Sequence, residues 1–344
     1  MTARSTIEGV QALRAVAALL VVLDHMLLRL VEAGELPIWW EGFAYRSGAV
    51  GVMVFFAISG FVMAHADGEK RGRGAAGRFL WRRVVRIVPL YWLVTLAYVL
   101  YLSLTGVVVD GGRVLRSLFF IPYLDAAGEM RPVVGVGWTL NYEMYFYLLC
   151  AAGLLLPGRW GNRVVMAALV LSVLVGSVLP PGDAWAALTT SPMLLCFAGG
   201  LLVHRQHMRG GKVPGGPVSA ALLVVAMLVL PMPTWLLASA FAPLIVWSVA
   251  DAARLPGRAW RPLLVMGEAS YSLYLTHVFV LGPVAALVFG WGLWSFFGTA
   301  TAASIAVALF VHLAFERPLL MAARGAAGGR NRSESRDAMH PRVV

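Results

Sequence analysis

Gly9-Val10-Gln11-Ala12-Leu13-Arg14-Ala15-Val16-Ala17-Ala18-Leu19-Leu20-Val21-Val22-Leu23-Asp24-His25 reads as part of an apolar helix long enough to cross a bilayer, with an arginine and an Asp-His pair set inside it. Ionisable side chains within a membrane segment are costly and usually face a cavity or a partner, so Arg14, Asp24 and His25 are candidate functional residues. Arg14 and His25 are eleven residues apart. At about 100° per residue this is close to a whole number of turns, so the two share one face, roughly 16 Å apart along the axis. That face carries a permanent cation near one end and a titratable base nearer the other. Taken alone, the stretch also fits a snorkelling interfacial arginine and a buried, hydrogen-bonded histidine.

The chain around it has 344 residues, of which 60% are hydrophobic and 13% charged, against an apolar share of about 45–50% in soluble domains. This composition excludes an ordinary soluble domain and predicts an all-α, polytopic membrane bundle. The apolar runs predict about ten transmembrane helices, at 10–31, 48–66, 87–105, 134–156, 163–179, 186–203, 217–232, 235–250, 263–288 and 293–315. The first run contains Arg14 and lacks a small-residue cleavage site, so it is expected to be a retained helix and not a signal peptide.

A net charge of +11 would suggest nucleic acid in a soluble protein, but here the basic residues alternate from one connection to the next, a topology pattern with no nucleic-acid partner expected. Lys70, Arg71, Arg73, Arg78, Arg82, Arg83 and Arg86 follow span two, Arg159 and Arg163 span four, Arg205, Arg209 and Lys212 span six, and Arg254, Arg258 and Arg261 span eight. With Arg324, Arg330, Arg332, Arg336 and Arg342, these are expected to be cytoplasmic, as are both termini. Intervening connections carry Glu32, Glu35, Glu41 and Asp183, and only the third, about 106–133, mixes signs. Residues 1–320 are expected to form one domain in the plasma (inner) membrane, and 321–344, rich in Gly, Arg and Ser, a disordered cytoplasmic tail. Cys150 and Cys196 fall inside predicted spans, which argues against a disulfide.

Four further stretches carry polar chemistry. Phe55-Phe56-Ala57-Ile58-Ser59-Gly60-Phe61 contains a Ser-Gly step that lets a neighbouring helix approach closely. The basic connection ends in Arg82-Arg83-Val84-Val85-Arg86-Ile87-Val88-Pro89-Leu90-Tyr91-Trp92, where Arg82, Arg83 and Arg86 lie within a turn and present guanidinium forks that suit phosphate or anionic lipid headgroups. Span four opens with Trp138-Thr139-Leu140-Asn141-Tyr142-Glu143; counted from its outer end, Glu143 falls near the depth of His25, where it could steady the imidazolium. In span nine, Ser270, Tyr274 and His277 follow an i, i+4, i+7 pattern, a polar stripe facing the bundle as a substrate surface or a packing seam. Trp39, Trp40 and Tyr45 read as an interfacial belt, and Pro318 after Phe315-Glu316-Arg317 is expected to end the last helix.

In order along the chain, Arg14 to His25, Phe55 to Phe61, Arg82 to Trp92, Trp138 to Glu143, Ser270 to His277 and Glu316 to Pro318 resemble the motifs of the acyltransferase-3 family of integral membrane O-acyltransferases. The Trp-Thr-Leu-Asn-Tyr-Glu version resembles the exopolysaccharide-modifying branch. The resemblance implies acyl-CoA, with acetyl as the group, as a cytoplasmic donor substrate, no permanently bound cofactor or metal, and a carbohydrate or lipid-linked glycan acceptor. On that basis Arg14, Arg82, Arg83 and Arg86 are expected to hold the donor, and His25 to act as general base with Glu143, or Asp24, as its partner. Glu143 is the preferred partner because Asp24, next in sequence, lies about 100° around the helix. Acceptor handling is expected to fall to the membrane domain itself. A polytopic transporter or flippase, and an acyltransferase acting on a small molecule such as a macrolide, are the alternatives.

Overall fold

The computed structural model describes residues 3–64, 71–157, 160–211, 216–230, 232–250 and 260–323, all in helices, turns and irregular segments with no strand among them. Lys70, Arg159, Lys212, Arg254, Arg258 and nearly all of the expected tail lie outside the described residues. The helices are α1 (Ala3–Glu32), α2 (Trp40–Ala64), α3 (Arg73–Leu104), α4 (Gly111–Leu118), α5 (Trp138–Leu154), α6 (Trp160–Val178), α7 (Ala184–Thr189), α8 (Leu194–Met208), α9 (Gly216–Val229), α10 (Thr234–Ala250), α11 (Arg261–Glu268), α12 (Ser270–Val288) and α13 (Leu293–Val311). Six segments are long and apolar enough to cross a membrane: α2, α3, α6, Ala184–Met208, Ser270–Trp291 and Leu293–Ala323. Leu93, Leu96, Leu100 and Leu104 on α3 and Leu171, Leu174 and Val178 on α6 are exposed. Such continuous apolar surface suits contact with lipid.

At the centre lies α2, the most enclosed of the six, packed against α1, α8 and α10. Small residues make this possible. At Gly60 an added Cβ would meet the backbone of Phe197 and Gly200, so the Ser-Gly step brings α2 and α8 close, as small residues do between membrane helices. Phe56, Phe146 and Phe197 fill the space beside it, with ring centroids 4.5 Å and 4.4 Å apart. α1 serves two apolar clusters: Leu13, Ala17 and Val21 face α2, while Ala18, Val22, Met26 and Leu30 pack with Leu273, Leu281 and Phe296 of α12 and α13. Cys150 and Cys196 are free and buried.

Four departures from the sequence-based boundaries bear on the site, each with a physical cause. First, α3 begins at Arg73, so Arg82, Arg83 and Arg86 stand on a formed helix, not at its entry. Arg71 and Gly72 fasten its start by donating to carbonyls at and just beyond the α5 C-terminus, Arg71 to Gly153 and Leu156, and the Gly72 N–H to Leu154; Gly153 and Leu154 are among the groups a helix end leaves unsatisfied. Second, the run 263–288 is two helices meeting at Ala269. Third, α13 does not stop at Pro318. It widens into a single turn of π-helix at His312–Glu316 and continues to Ala323, and the widened turn absorbs the ring clash and missing N–H of the proline.

Finally, the segment before α5 dips into the bundle. Phe120 adopts a left-handed φ of 57° and stacks on Tyr91 with centroids 5.0 Å apart. Val134, Val136 and Gly137 are buried, and a Cβ at Gly137 would lie 2.7 Å from the Tyr91 hydroxyl. α5 thus starts inside the protein and is only 17 residues long. Depths counted from a flat outer plane are wrong for it.

Candidate active site

A cavity of about 660 Å³ runs between α1, α2, α3, α5, α8 and α12, within the range typical of small-molecule sites. One end is bounded by Val10 and Gln11 of α1, Val62 and Met63 at the end of α2, and His204, His207 and Met208 at the end of α8; the other by Phe55, Thr139 and Tyr274. Its walls are mostly apolar, but Arg14, Arg83, Arg86 and Glu143 all line it. The Arg83 guanidinium lies over the rings of Phe79 and Tyr147, 5.5 Å and 5.8 Å from their centroids, and its buried Nε has no partner. Arg14 Nη1 donates to Gln11 Oε1 at 3.5 Å. Glu143 accepts from the Tyr147 hydroxyl at 3.1 Å and lies within electrostatic range of Arg86, Arg14 and Arg83. Three guanidiniums thus line one mostly apolar space, a geometry that suits an anion, with Glu143 offsetting part of their repulsion.

At the other end the Tyr274 hydroxyl donates to the Val136 carbonyl at 2.7 Å and pairs with the Thr139 hydroxyl at 2.8 Å, while its ring meets Phe55 edge-on. One turn further along α12, His277 is fully buried and meets the ring of His25 edge-on, with centroids 4.9 Å apart. His25 Nδ1 lies 3.0 Å from the Val21 carbonyl and 3.5 Å from Asp24 Oδ2. A carbonyl oxygen only accepts, so the proton belongs on Nδ1 and the Nε2 lone pair is left as the base. The same logic applies to His277, whose Nδ1 is 3.0 Å from the Leu273 carbonyl and whose Nε2 has no partner. The His25 side chain is 32% exposed and that of Asp24 11%.

Asp24 thus takes the place beside His25 that the sequence reading preferred for Glu143. Among the described residues no hydrogen bond or ion pair joins Glu143 to His25, because the sunken start of α5 sets Glu143 among the arginines around Arg14. Asp24 fits because Gly48 leaves room: a Cβ there would lie 2.6 Å from the Asp24 carboxyl carbon. Arg14, Arg83, Arg86, Glu143, Ser270 and Tyr274 come together around the cavity, whereas Arg82 is exposed on another face of α3 and does not line it. Ser270 is fully buried, its hydroxyl without a partner. Trp138 packs edge-on against Tyr142, away from the cavity. His204 and His207 escaped the sequence reading. They face the ring of Phe61 edge-on, at 5.4 Å and 5.9 Å, and their i, i+3 spacing beside Arg205 is the signal that would have found them.

Five of the six sequence motifs supply residues to this cavity, and residues 7–314 match the family described as the acyltransferase domain. The chain belongs to the acyltransferase-3 family. It is accordingly a multi-pass membrane acyltransferase, with relatives connected to exopolysaccharide production. It is 33% identical over 305 residues to the exopolysaccharide production protein ExoZ of Rhizobium meliloti (strain 1021), covering 82% of this chain and 93% of that protein. It is 30% identical over 268 residues to the acyltransferase MdmB of Streptomyces mycarofaciens, with 68% of each chain covered. Nodulation protein 10 of Rhizobium leguminosarum bv. viciae is 26% identical over 311 residues, 79% of this chain and 82% of that protein. No solved structure matches the chain. Arg14, Arg83, Arg86 and Glu143 line the cavity, whereas the His25–Asp24 pair lies outside its lining, beyond Tyr274 and His277.

Proposed function

We propose that the protein is a plasma-membrane O-acetyltransferase that moves an acetyl group from cytoplasmic acetyl-CoA to a hydroxyl of a surface or exopolysaccharide glycan or its lipid-linked precursor. The observation that carries this reading is the cavity, with three guanidiniums along its wall and with Tyr274 at one end, one helical turn from His277, whose ring meets that of His25. In this reading about ten helices span the membrane, with both termini and the end of the cavity beside His204 and His207 on the cytoplasmic side. The basic residues of the described connections support that orientation.

Arg14, Arg83 and Arg86 hold the donor phosphates, with Arg82 at the exposed flank. The acyl arm extends past Glu143 toward Tyr274, and the thioester reaches His25. In direct transfer, the acceptor oxygen attacks the thioester carbonyl as His25 Nε2 takes the hydroxyl proton. The C–O bond forms, the C–S bond breaks, and the proton passes to the departing thiolate. Asp24 steadies the imidazolium formed in between. The partial exposure of His25 gives an acceptor access that buried His277 lacks. An acyl-histidine intermediate uses the same atoms in two steps. Incubating the purified protein with acetyl-labelled CoA and a glycan acceptor tests the reading; label on the glycan is expected, and no transfer or hydrolysis would refute it.

A further inference from the structure

Glu316 belongs to the one motif that supplies no lining residue to the cavity among the described residues, yet it is almost wholly buried, at 3% exposure. It sits at the end of the widened turn His312–Glu316, a helix irregularity that often accompanies functional sites. His312 Nδ1 lies 2.9 Å from Glu316 Oε2, and the hydroxyl of fully buried Ser272 on α12 donates to the same oxygen at 2.7 Å. An amide oxygen would accept both bonds equally well. What an amide cannot supply is charge, and Glu316 lies within electrostatic range of Arg86 and Arg14.

The surrounding packing brings the widened turn against α3, the helix that carries Arg86. The neighbour of Ser272, Tyr271, lines the cavity and donates at 2.7 Å to the carbonyl of Ile87, the residue after Arg86. α12 is thus fastened to α13 through Ser272 and to α3 through Tyr271. Arg14, Arg83 and Arg86 repel one another, and their counter-charges differ in kind. Glu143 lines the cavity itself, whereas Glu316 is buried behind its wall.

We propose that Glu316, clamped by His312 and Ser272, is a positioning residue that holds the Arg86 guanidinium ready for the phosphates of the acyl donor. This rests on the reading of the cavity as an acyl-CoA site. The test compares KM and kcat for acetyl-CoA with those for acetyl-pantetheine, which lacks the nucleotide phosphates, in the full-length protein. Glu316→Gln is expected to raise the acetyl-CoA KM about tenfold, change kcat by less than about threefold, and leave acetyl-pantetheine unaffected. Ser272→Ala should act in the same direction with a smaller effect, and Ser272→Thr, which keeps the hydroxyl, should restore the wild-type values. Ser272→Ala carries the test should Glu316→Gln fail to fold. An unchanged acetyl-CoA KM, or a kcat lowered equally for both donors, would overturn the proposal. Arg86→Ala separates the two levels. If it discriminates between donors and Glu316→Gln does not, only the role of Glu316 falls; if Arg86→Ala does not discriminate either, the donor-site reading falls with it.

Discussion

Arg14 and His25 lie on one face of α1, eleven residues apart, yet their surroundings have almost nothing in common. Around Arg14 the protein leaves a cavity of about 660 Å³ and fills its wall with guanidiniums, a carboxylate and long apolar side chains. Around His25 it closes down, with an imidazole edge-on at 4.9 Å and a carboxylate at 3.5 Å. The first region offers three guanidiniums around an open space, with its imidazoles, His204 and His207, at one end of the cavity. The second offers a base in a defined tautomer and little room. In the proposed function one helix separates holding a donor from reacting with it, so binding and chemistry should fail independently when each end is altered.

The sharpest break in that comparison is His25→Ala, expected to lower turnover roughly 10² to 10⁴-fold, the usual contribution of a general base, while acetyl-CoA still binds. Turnover under saturating donor and equilibrium donor binding check both halves. The next test sets the two carboxylates against each other. Asp24→Asn should reduce kcat about ten- to a hundredfold with donor affinity retained. The loss stays below that seen when an aspartate alone fixes the tautomer, because the Val21 carbonyl holds the Nδ1 proton here. Glu143→Gln should instead shift the acetyl-CoA KM, since its neighbours are Arg86, Arg14 and Arg83; a pure kcat loss would return Glu143 to the His25 end.

Arg83→Ala or Arg86→Ala should raise the acetyl-CoA KM about tenfold, and lysine should substitute poorly because it lacks the bidentate fork. The same variants assayed with acetyl-pantetheine should differ little from wild type. The smallest effect is expected from Gly48→Ala. Its new Cβ would press on the Asp24 carboxyl, 2.6 Å away before relaxation, and should lower kcat about threefold without changing donor KM, as mild overpacking displaces rather than removes the carboxylate.

Much of the helical pattern was legible because apolar runs of this length have few other uses. Arg14, Arg83, Arg86, Ser270 and Tyr274 were legible as cavity-lining residues because charge and polarity inside such runs must be explained by a cavity or a partner. Depth was not legible. Glu143 was placed beside His25 by counting from the start of its span, and nothing in Val133 to Gly137 announces that this segment sinks into the bundle and moves every residue of α5 inward. Asp24 ranked behind Glu143 as the partner because adjacent residues diverge around a helix, yet His25 turns its Nδ1 toward its own backbone and Asp24 follows it into the space left by Gly48. The widened turn at His312 was hidden for another reason. Pro318 reads as a stop, and a helix that widens before a proline has the same local sequence as one that ends there.

One titration tests the division between the two ends most directly: acetyl-CoA binding and single-turnover acetyl transfer measured side by side on His25→Ala and Arg86→Ala. His25→Ala is expected to bind the donor as the wild type does and transfer nothing measurable, while Arg86→Ala should bind about tenfold more weakly and transfer at close to the wild-type rate once saturated. A His25→Ala protein that transfers acetyl normally, or an Arg86→Ala protein that binds normally and cannot turn over, would contradict it.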